Sequence, residues 1–327
     1  MWRYSEAYSL PGSVSPVSLG EGFTPLLRTR LDGVPVYLKL DYLQPSGSFK
    51  DRGASLLISL VKSLGIGRIV EDSSGNAGAA IAAYCAAAGI ECTIFVPAAV
   101  PEAKLTQMEA LGAGIRKISG NRLAANRAVM EEAHHRYYAS HLWNPFFALG
   151  NASCAFEIWE QMNGKVPSAV VAPAGGGSLI EGLHIGFRLL RDFGYTDRIP
   201  RMIAVQAERC NPIHRAFMRG SDQAEVSADF QETLADGIAV SSPPRAKAVL
   251  KAVRESSGLT LSVREEEIVS NLKTFLAAGL LIEPTSAIVL SAVRVLAPEC
   301  REDCCLILTG SGLKQTETIR RLLRSGL

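Results

Sequence analysis

The sequence predicts an α/β protein with two open, twisted, mainly parallel sheets, helices on both faces, and a large and a small lobe sharing a cleft. Three observations lead there. From Lys50 onward, strand-like apolar runs alternate with helical patterns, the rhythm of parallel strands joined by crossovers. Two strand-to-helix turns, at Ser73–Gly78 and Gly175–Ser178, are made of small and polar residues, and open sheets bind ligands at such carboxyl ends. With 327 residues, 47% of them apolar and 20% charged, the chain is long enough for two lobes.

Residues up to about 34 are rich in Ser, Gly and Pro and read as an arm packed on the body. A strand at Val36–Leu40 and the breaker Pro45 precede a helix that opens at Lys50 and ends near Gly65, with Leu56, Leu57, Leu60 and Leu64 setting its period. Then come a strand at Arg68–Glu71, a helix of small residues to Ala88 stopped by Gly89, and a strand at Cys92–Val96. A helix after Pro101, a short strand at Ile115–Ile118 and a helix from Arg122 to His135 follow. After Asn144-Pro145 the pattern is helix Ala152–Met162, strand Ala169–Ala172, helix Leu179–Leu190 and strand Met202–Val205. A looser stretch from Arg209 to Gln231 leads to Ala235–Val240, read as a loop into the interior. Helices near 245–254, 265–277 and 285–296 bring the chain to its last strand, Leu306–Leu308.

A net charge of +2 with interspersed signs points to neither nucleic acid nor an anionic membrane. The N-terminus lacks the order of a signal peptide, and the run Ala77–Ile90 is too short to span a bilayer, so a cytoplasmic protein is expected. Seven scattered cysteines fit reduced thiols. Cys300, Cys304 and Cys305 raise a metal question, but a buried strand explains the last two better, and no metal is expected. The histidines 134, 135, 141, 184 and 214 form no ligand spacing beyond an adjacent pair at a helix end.

Lys50 in Gly47-Ser48-Phe49-Lys50-Asp51-Arg52-Gly53 falls in the first turn of its helix. The positive end of the helix dipole and a partly dry setting favour the neutral amine that Schiff-base chemistry needs. Gly175-Gly176-Gly177-Ser178 lets backbone N–H groups approach a phosphate dianion at a helix N-terminus, although a glycine cluster there is often only a tight turn. It has neither the Gly-x-Gly-x-x-Gly spacing of a dinucleotide site nor the Lys-Ser/Thr ending of a P-loop, so neither NAD nor ATP is favoured. Ser73-Ser74-Gly75-Asn76 could bind a carboxylate and donate to a phenolic oxygen, or simply cap a helix. Thr309 and Ser311 could present a hydroxyl to a ring nitrogen. An amine, a phosphate nest, a donor for a phenolate and a hydroxyl for a pyridine nitrogen together describe pyridoxal phosphate.

The ordered set GSFKDRG, SSGNAG, GGGS, ADGIAV, EPTSA and TGSGLK resembles the fold-type II, tryptophan synthase β-like family of pyridoxal-phosphate enzymes from Glu21 to about Lys314. Within it, EGFTPL, SFKDRG and TGSGLK are most similar to the threonine-synthase branch. The resemblance implies a cofactor in the cleft between the lobes, with 1–46 and 141–327 as the large cofactor-binding domain and 47–140 as a small mobile domain. It implies Lys50 as Schiff-base lysine and proton shuttle, Phe49 beside the cofactor, Asn76 on the ring hydroxyl, Gly175, Gly176, Gly177 and Ser178 on the phosphate, and Thr309 at the pyridine nitrogen. Ser73, Ser74, Gly75 and Ala77 would hold the carboxylate of an amino-acid substrate, and a homodimer is expected because relatives form one.

One stretch departs from that branch, whose Asn-Pro element continues with an arginine and a Gly-x-Lys-Thr segment holding the substrate's phosphate. Here Phe147 and Ala152 replace the cations, and Lys104 and Arg116 are the possible substitutes. The expected activity is that of the branch, O-phosphohomoserine and water giving threonine and phosphate. The alternatives are serine/threonine dehydratase or cysteine-synthase-like β-replacement, and a cofactor-binding protein without catalysis.

Overall fold

The computed structural model describes residues 1–12, 14–226, 231–301 and 303–324. Its strands are β1 (Leu26–Leu31), β2 (Val34–Lys39), β3 (Arg68–Glu71), β4 (Glu91–Pro97), β5 (Gly114–Ile118), β6 (Tyr137–Tyr138), β7 (Ala169–Pro173), β8 (Arg201–Ala207), β9 (Leu259–Val263) and β10 (Cys304–Ile307). They form two sheets, ordered β5-β4-β3-β6 and β1-β2-β10-β7-β8-β9. Strand pairing is parallel throughout except for the β1–β2 hairpin. The fold is the expected one. The chain divides into two compact units, Met1–Gly22 with Gln44–Asn151, and Phe23–Leu43 with Ala152–Leu327.

In the first unit the helices are α1 (Lys50–Ser63), α2 (Asn76–Ala88), α3 (Glu102–Ala110), α4 (Arg122–Glu132) and α5 (Pro145–Gly150). Successive strand residues point to opposite faces, and the core follows that alternation. Ile69, Ile94 and Val96 join residues of α1, α2 and α3 in one cluster, while Val70 and Phe95 meet Val129 of α4 in another. Helices therefore cover both faces.

The units divide differently from the expected partition, which put 1–46 and 141–327 in one lobe and 47–140 in the other: Met1–Gly22, residues 44–46 and residues 141–151 all group with the unit that holds 47–140. Hydrogen bonds tie the arm to α1 and its neighbours. The Met1 ammonium donates to Glu21 O at 2.8 Å and Val17 N donates to Ser59 Oγ at 2.7 Å. The Glu21 carboxylate accepts from Ser55 Oγ at 2.7 Å and Tyr84 OH at 3.0 Å. A buried carboxylate held by that many donors fixes the segment carrying it.

The second unit carries α6 (Ala152–Gln161), α7 (Ser178–Asp192), α8 (Pro212–Met218), α9 (Ala246–Glu255), α10 (Glu265–Ala277), α11 (Pro284–Ala287), α12 (Leu290–Val295), α13 (Pro298–Arg301) and α14 (Thr316–Arg324). One face of its sheet, with Val36, Leu38, Val171 and Val205, packs against α10, α12 and α14. Helices α7 and α9 pack against β8. β10 lies between β2 and β7, so the last strand completes the middle of the sheet. Cys304 and Cys305 are buried in β10 as expected. Of the looser stretch 209–231, residues 227–230 lie outside the described residues. Among the described residues, no helix is long and apolar enough to cross a membrane.

A charge buried in this core makes a test. The Lys39 Nζ lies 2.7 Å from Glu157 Oε2 with both side chains fully buried, and donates to Thr24 O at 2.7 Å and Gln161 Oε1 at 2.9 Å. Removing one partner of such a pair leaves an uncompensated charge and costs about 3–5 kcal/mol. Glu157→Ala is therefore expected to lower the calorimetric unfolding temperature sharply, and an unchanged transition would contradict this reading of the pair.

Candidate active site

In the first unit, Lys50 opens α1 directly after Phe49, the N-cap, which supplies no side-chain hydrogen bond to the helix. What fixes this turn is Asp51. Its carboxylate accepts from Ser46 N at 2.6 Å and also from Ser46 Oγ, tying the Pro45–Ser48 loop to the helix it precedes. Gln107 of α3 donates to Ser46 O at 3.1 Å. An acidic residue in the first turn also suits the helix dipole. The Lys50 Nζ lies 4.3 Å from the centroid of the Phe49 ring, a contact that favours a cation over the ring face. Beside it Ser48 is buried, and its Oγ has no hydrogen-bond partner among the described residues.

Helix α1 packs against α2, and α2 starts at Asn76 after the turn that leaves β3. The N-cap of α2 is Gly75 with no side-chain cap, so neither Ser73 nor Ser74 caps the helix. Ser73 Oγ instead accepts from Gly75 N at 3.3 Å. The turn lies tightly on the helix: a Cβ at Gly78 would stand 2.0 Å from Ser73 O. Ser73, Ser74, Gly75, Asn76 and Ala77 thus share one turn at the carboxyl edge of the first sheet, where helix N–H groups suit a carboxylate.

In the second unit, Gly175, Gly176 and Gly177 link the end of β7 to Ser178, the first residue of α7. Gly177 has φ +103° and no side chain caps this fifteen-residue helix. A Cβ at Gly175 would lie 3.0 Å from Ile238 Cα, so the Ala235–Val240 loop, buried at Ala235 and Ile238 as expected, backs the turn. Gly237 N in turn donates to Thr285 Oγ1 at 3.2 Å. β10 is the parallel neighbour of β7, so Thr309, just past β10, opens on the same sheet edge as the glycine turn. Ser286 holds it there. The Ser286 Oγ accepts from Thr309 N at 3.0 Å and Gly310 N at 2.8 Å, and lies 3.0 Å from Thr309 Oγ1. Gly310 lies flat on Glu283, whose carboxylate carbon would be 2.2 Å from an added Cβ.

The structure thus brings Gly175, Gly177, Ser178 and Thr309 to one edge of the second sheet, and the serine turn to the corresponding edge of the first. Phe147, in the place where a cation was expected, is fully buried, and its Cδ1 would lie 2.5 Å from a Cβ at Gly53 of α1. Ala152 is fully buried too. Of the substitutes, Arg116 is on the edge strand β5, paired with Glu132 at 3.2 Å and stacked over Phe95 at 5.1 Å. Lys104 is exposed on α3.

Two residues in this neighbourhood escaped the sequence reading. Glu71, the last residue of β3, hydrogen-bonds through Oε1 to His141 Nδ1, and both side chains are buried. A glutamate directly after the apolar pair Ile69-Val70 and just before the serine turn was the available signal. Asp72 beside it accepts from Tyr138 OH at 2.7 Å and Asn126 Nδ2 at 2.9 Å. The His141 ring meets Phe147 edge-on with centroids 6.0 Å apart.

Comparison with known proteins agrees with this fold. Residues 17–310 match the family model described as pyridoxal-phosphate dependent enzyme. The threonine synthase of Methanosarcina acetivorans is 33% identical over 98% of this chain and 81% of its own length. That of Methanocaldococcus jannaschii is 32% identical over 98% of this chain and 82% of its own. Among solved structures, a fungal L-serine ammonia-lyase from Rhizomucor miehei superposes with a TM-score of 0.79 at 22% identity, covering 94% of this chain and 99% of that one. A match of this extent to the family model places the chain among the pyridoxal-phosphate dependent enzymes.

Proposed function

We propose that this protein is a threonine synthase, converting O-phosphohomoserine and water into threonine and phosphate with pyridoxal phosphate as cofactor. The observation that carries the reading is near-full-length kinship with two threonine synthases, joined to a lysine at the head of a helix. The residues present suit the cofactor: a lysine amine, a glycine turn at an uncapped helix N-terminus, and a buried hydroxyl match an aldehyde, a phosphate and a ring nitrogen. When bound, the cofactor supplies an aldehyde for amines and a ring that withdraws electrons from the substrate's α-carbon.

The chain's own residues supply the rest. Gly175, Gly176, Gly177 and Ser178 would hold the cofactor phosphate, Asn76 would donate to the ring hydroxyl, Phe49 would pack beside the ring, and Thr309 would offer its hydroxyl to the ring nitrogen. A neutral hydroxyl there leaves that nitrogen largely unprotonated, which suits elimination and replacement over transamination. Ser73, Ser74, Gly75 and Ala77 bind the substrate carboxylate. Lys50 takes the α-proton at Nζ and later returns it.

One observation favours a second reading, serine/threonine dehydratase or β-replacement. Phe147 and Ala152 are buried where cations for a substrate phosphate were expected, and a dianion in a closed site needs charge-assisted donors. Inorganic phosphate and threonine formed from O-phosphohomoserine support the first reading. Ammonia and an oxo acid from serine or threonine, with O-phosphohomoserine inert, would replace it by the second. We further propose a homodimer working in the cytoplasm, supported by the resemblance and by seven buried cysteines; light scattering tests the first point.

A further inference from the structure

The four residues of α11 carry two neighbouring hydroxyls, and both are spent on loops at the carboxyl edge of the second sheet. Thr285 Oγ1 accepts from Gly237 N at 3.2 Å, which steadies the loop backing the glycine turn. Ser286, fully buried, serves Thr309 and Gly310. The contact between α11 and that turn is made several times over. Glu283 N donates to Gly310 O at 3.0 Å, Ile282 and Ser311 form an isolated antiparallel bridge, and a Cβ added at Gly310 would strike the Glu283 carboxylate. The Ser286 hydroxyl is therefore held in one place.

A hydroxyl group has one hydrogen to give and two lone pairs with which to accept. Both lone pairs of Ser286 Oγ are occupied, one by Thr309 N at 3.0 Å and the other by Gly310 N at 2.8 Å. Thr309 Oγ1, 3.0 Å away, consequently cannot donate to it. The hydrogen between the two oxygens is that of Ser286, shared at most with Gly310 O, which lies at 3.2 Å and already accepts from Glu283 N. Thr309 is buried, and its hydroxyl has no other hydrogen-bond partner among the described residues. Its own hydrogen is left over once the surrounding acceptors are counted.

We propose that Ser286 is a positioning residue that fixes Thr309 as a hydrogen-bond donor, so that this part of the site selects a ring nitrogen with a free lone pair. The inference rests on the reading of Thr309 as the partner of the ring nitrogen. Two peptide N–H groups on Ser286 Oγ polarise its O–H, and that O–H polarises the hydroxyl of Thr309 in turn, since hydrogen bonds in a chain strengthen one another. A protonated nitrogen would set donor against donor in a buried place where an unmade hydrogen bond is costly. Ser311, the other hydroxyl that follows the last strand, takes no part. Its Oγ accepts from Leu313 N at 3.3 Å as the cap of the short helix at Gly312–Gln315.

The test compares pyridoxal phosphate with its deaza analogue, in which C–H replaces the ring nitrogen, each titrated by absorbance into full-length protein freed of cofactor. Wild-type protein is expected to prefer pyridoxal phosphate by about tenfold, because the analogue leaves the Thr309 hydrogen without an acceptor. Thr309→Val is expected to bring that ratio to about one. Ser286→Ala is expected to bring it to about two or three, because a water in the vacated place can accept the Thr309 hydrogen. A turn that is merely loosened weakens both ligands alike and leaves the ratio unchanged, which separates positioning from simple support. No preference in wild type, or an undiminished one in Ser286→Ala beside a lowered one in Thr309→Val, overturns the role of Ser286. An undiminished ratio in Thr309→Val overturns the placement of Thr309 itself, and the proposal with it. Should Ser286→Ala not fold, the nitrogen NMR signal of ring-labelled pyridoxal phosphate on wild-type protein decides. The shift of an unprotonated pyridine at neutral pH is expected, and that of a pyridinium overturns the forced donor.

Discussion

Replacing Lys50 by alanine is expected to lower turnover by roughly 10³-fold and to abolish the visible absorbance that cofactor-bound protein shows. Lys50 heads α1 with its amine over the Phe49 ring, and its helix is held by structure that the substitution leaves alone. Asp51 still ties the preceding loop through Ser46, and the buried face of α1 from Asp51 to Val61 is untouched. The unfolding temperature is therefore expected to change little, separating a chemical loss from a structural one. Added primary amines are expected to restore a small part of the rate, since the missing group is a base on a tether. Full activity in a folded Lys50→Ala protein would move the chemistry elsewhere.

Gly177→Ala is the second large effect, expected to weaken pyridoxal-phosphate binding by roughly ten- to a hundredfold. Two costs act together. Residue 177 has φ +103°, which an L side chain adopts only with about 1–3 kcal/mol of strain. The added Cβ would also stand 2.8 Å from Val249 Cγ2 and 2.9 Å from Arg245 Cβ, the latter in a loop residue paired with Glu181 of α7. The turn has to shift, and with it the N–H groups that begin α7. Cofactor titration followed by absorbance measures the loss. Free inorganic phosphate, which needs the same turn but not Lys50, is expected to compete less well in the variant.

The regular elements were legible because most carry local punctuation. Glycine stops α2 at Gly89, whose φ is +70°, and Pro101 introduces α3. The strand at 169–173 is a short apolar run between such marks, and that at 68–71 is an Ile-Val pair flanked by Arg68 and Glu71. β9 was missed because Leu259–Val263 alternates apolar residues with Thr and Ser at the sheet edge, and β6 because it is two residues long. The helix expected over 285–296 divides at Ile288 and Val289, although both keep right-handed helical angles, so only its hydrogen bonding is interrupted.

The site divides in the same way. Lys50 and the glycine turn are read from their own neighbours in sequence: a helix start, or a loop that only glycine can form. Glu71 and His141 are 70 residues apart and become partners only when β6 lies beside β3, a pairing no local pattern announces. The support of Thr309 by Ser286 likewise spans 23 residues and requires β10 in mid-sheet. Function that depends on tertiary pairing was invisible until the strands were placed.

The most direct measurement is borohydride reduction of the cofactor-bound protein followed by peptide mass spectrometry. A single adduct bearing the mass of reduced pyridoxal phosphate on the peptide that contains Lys50 is the expected result. An adduct on another lysine, or none from a protein that retains its cofactor, would contradict the account.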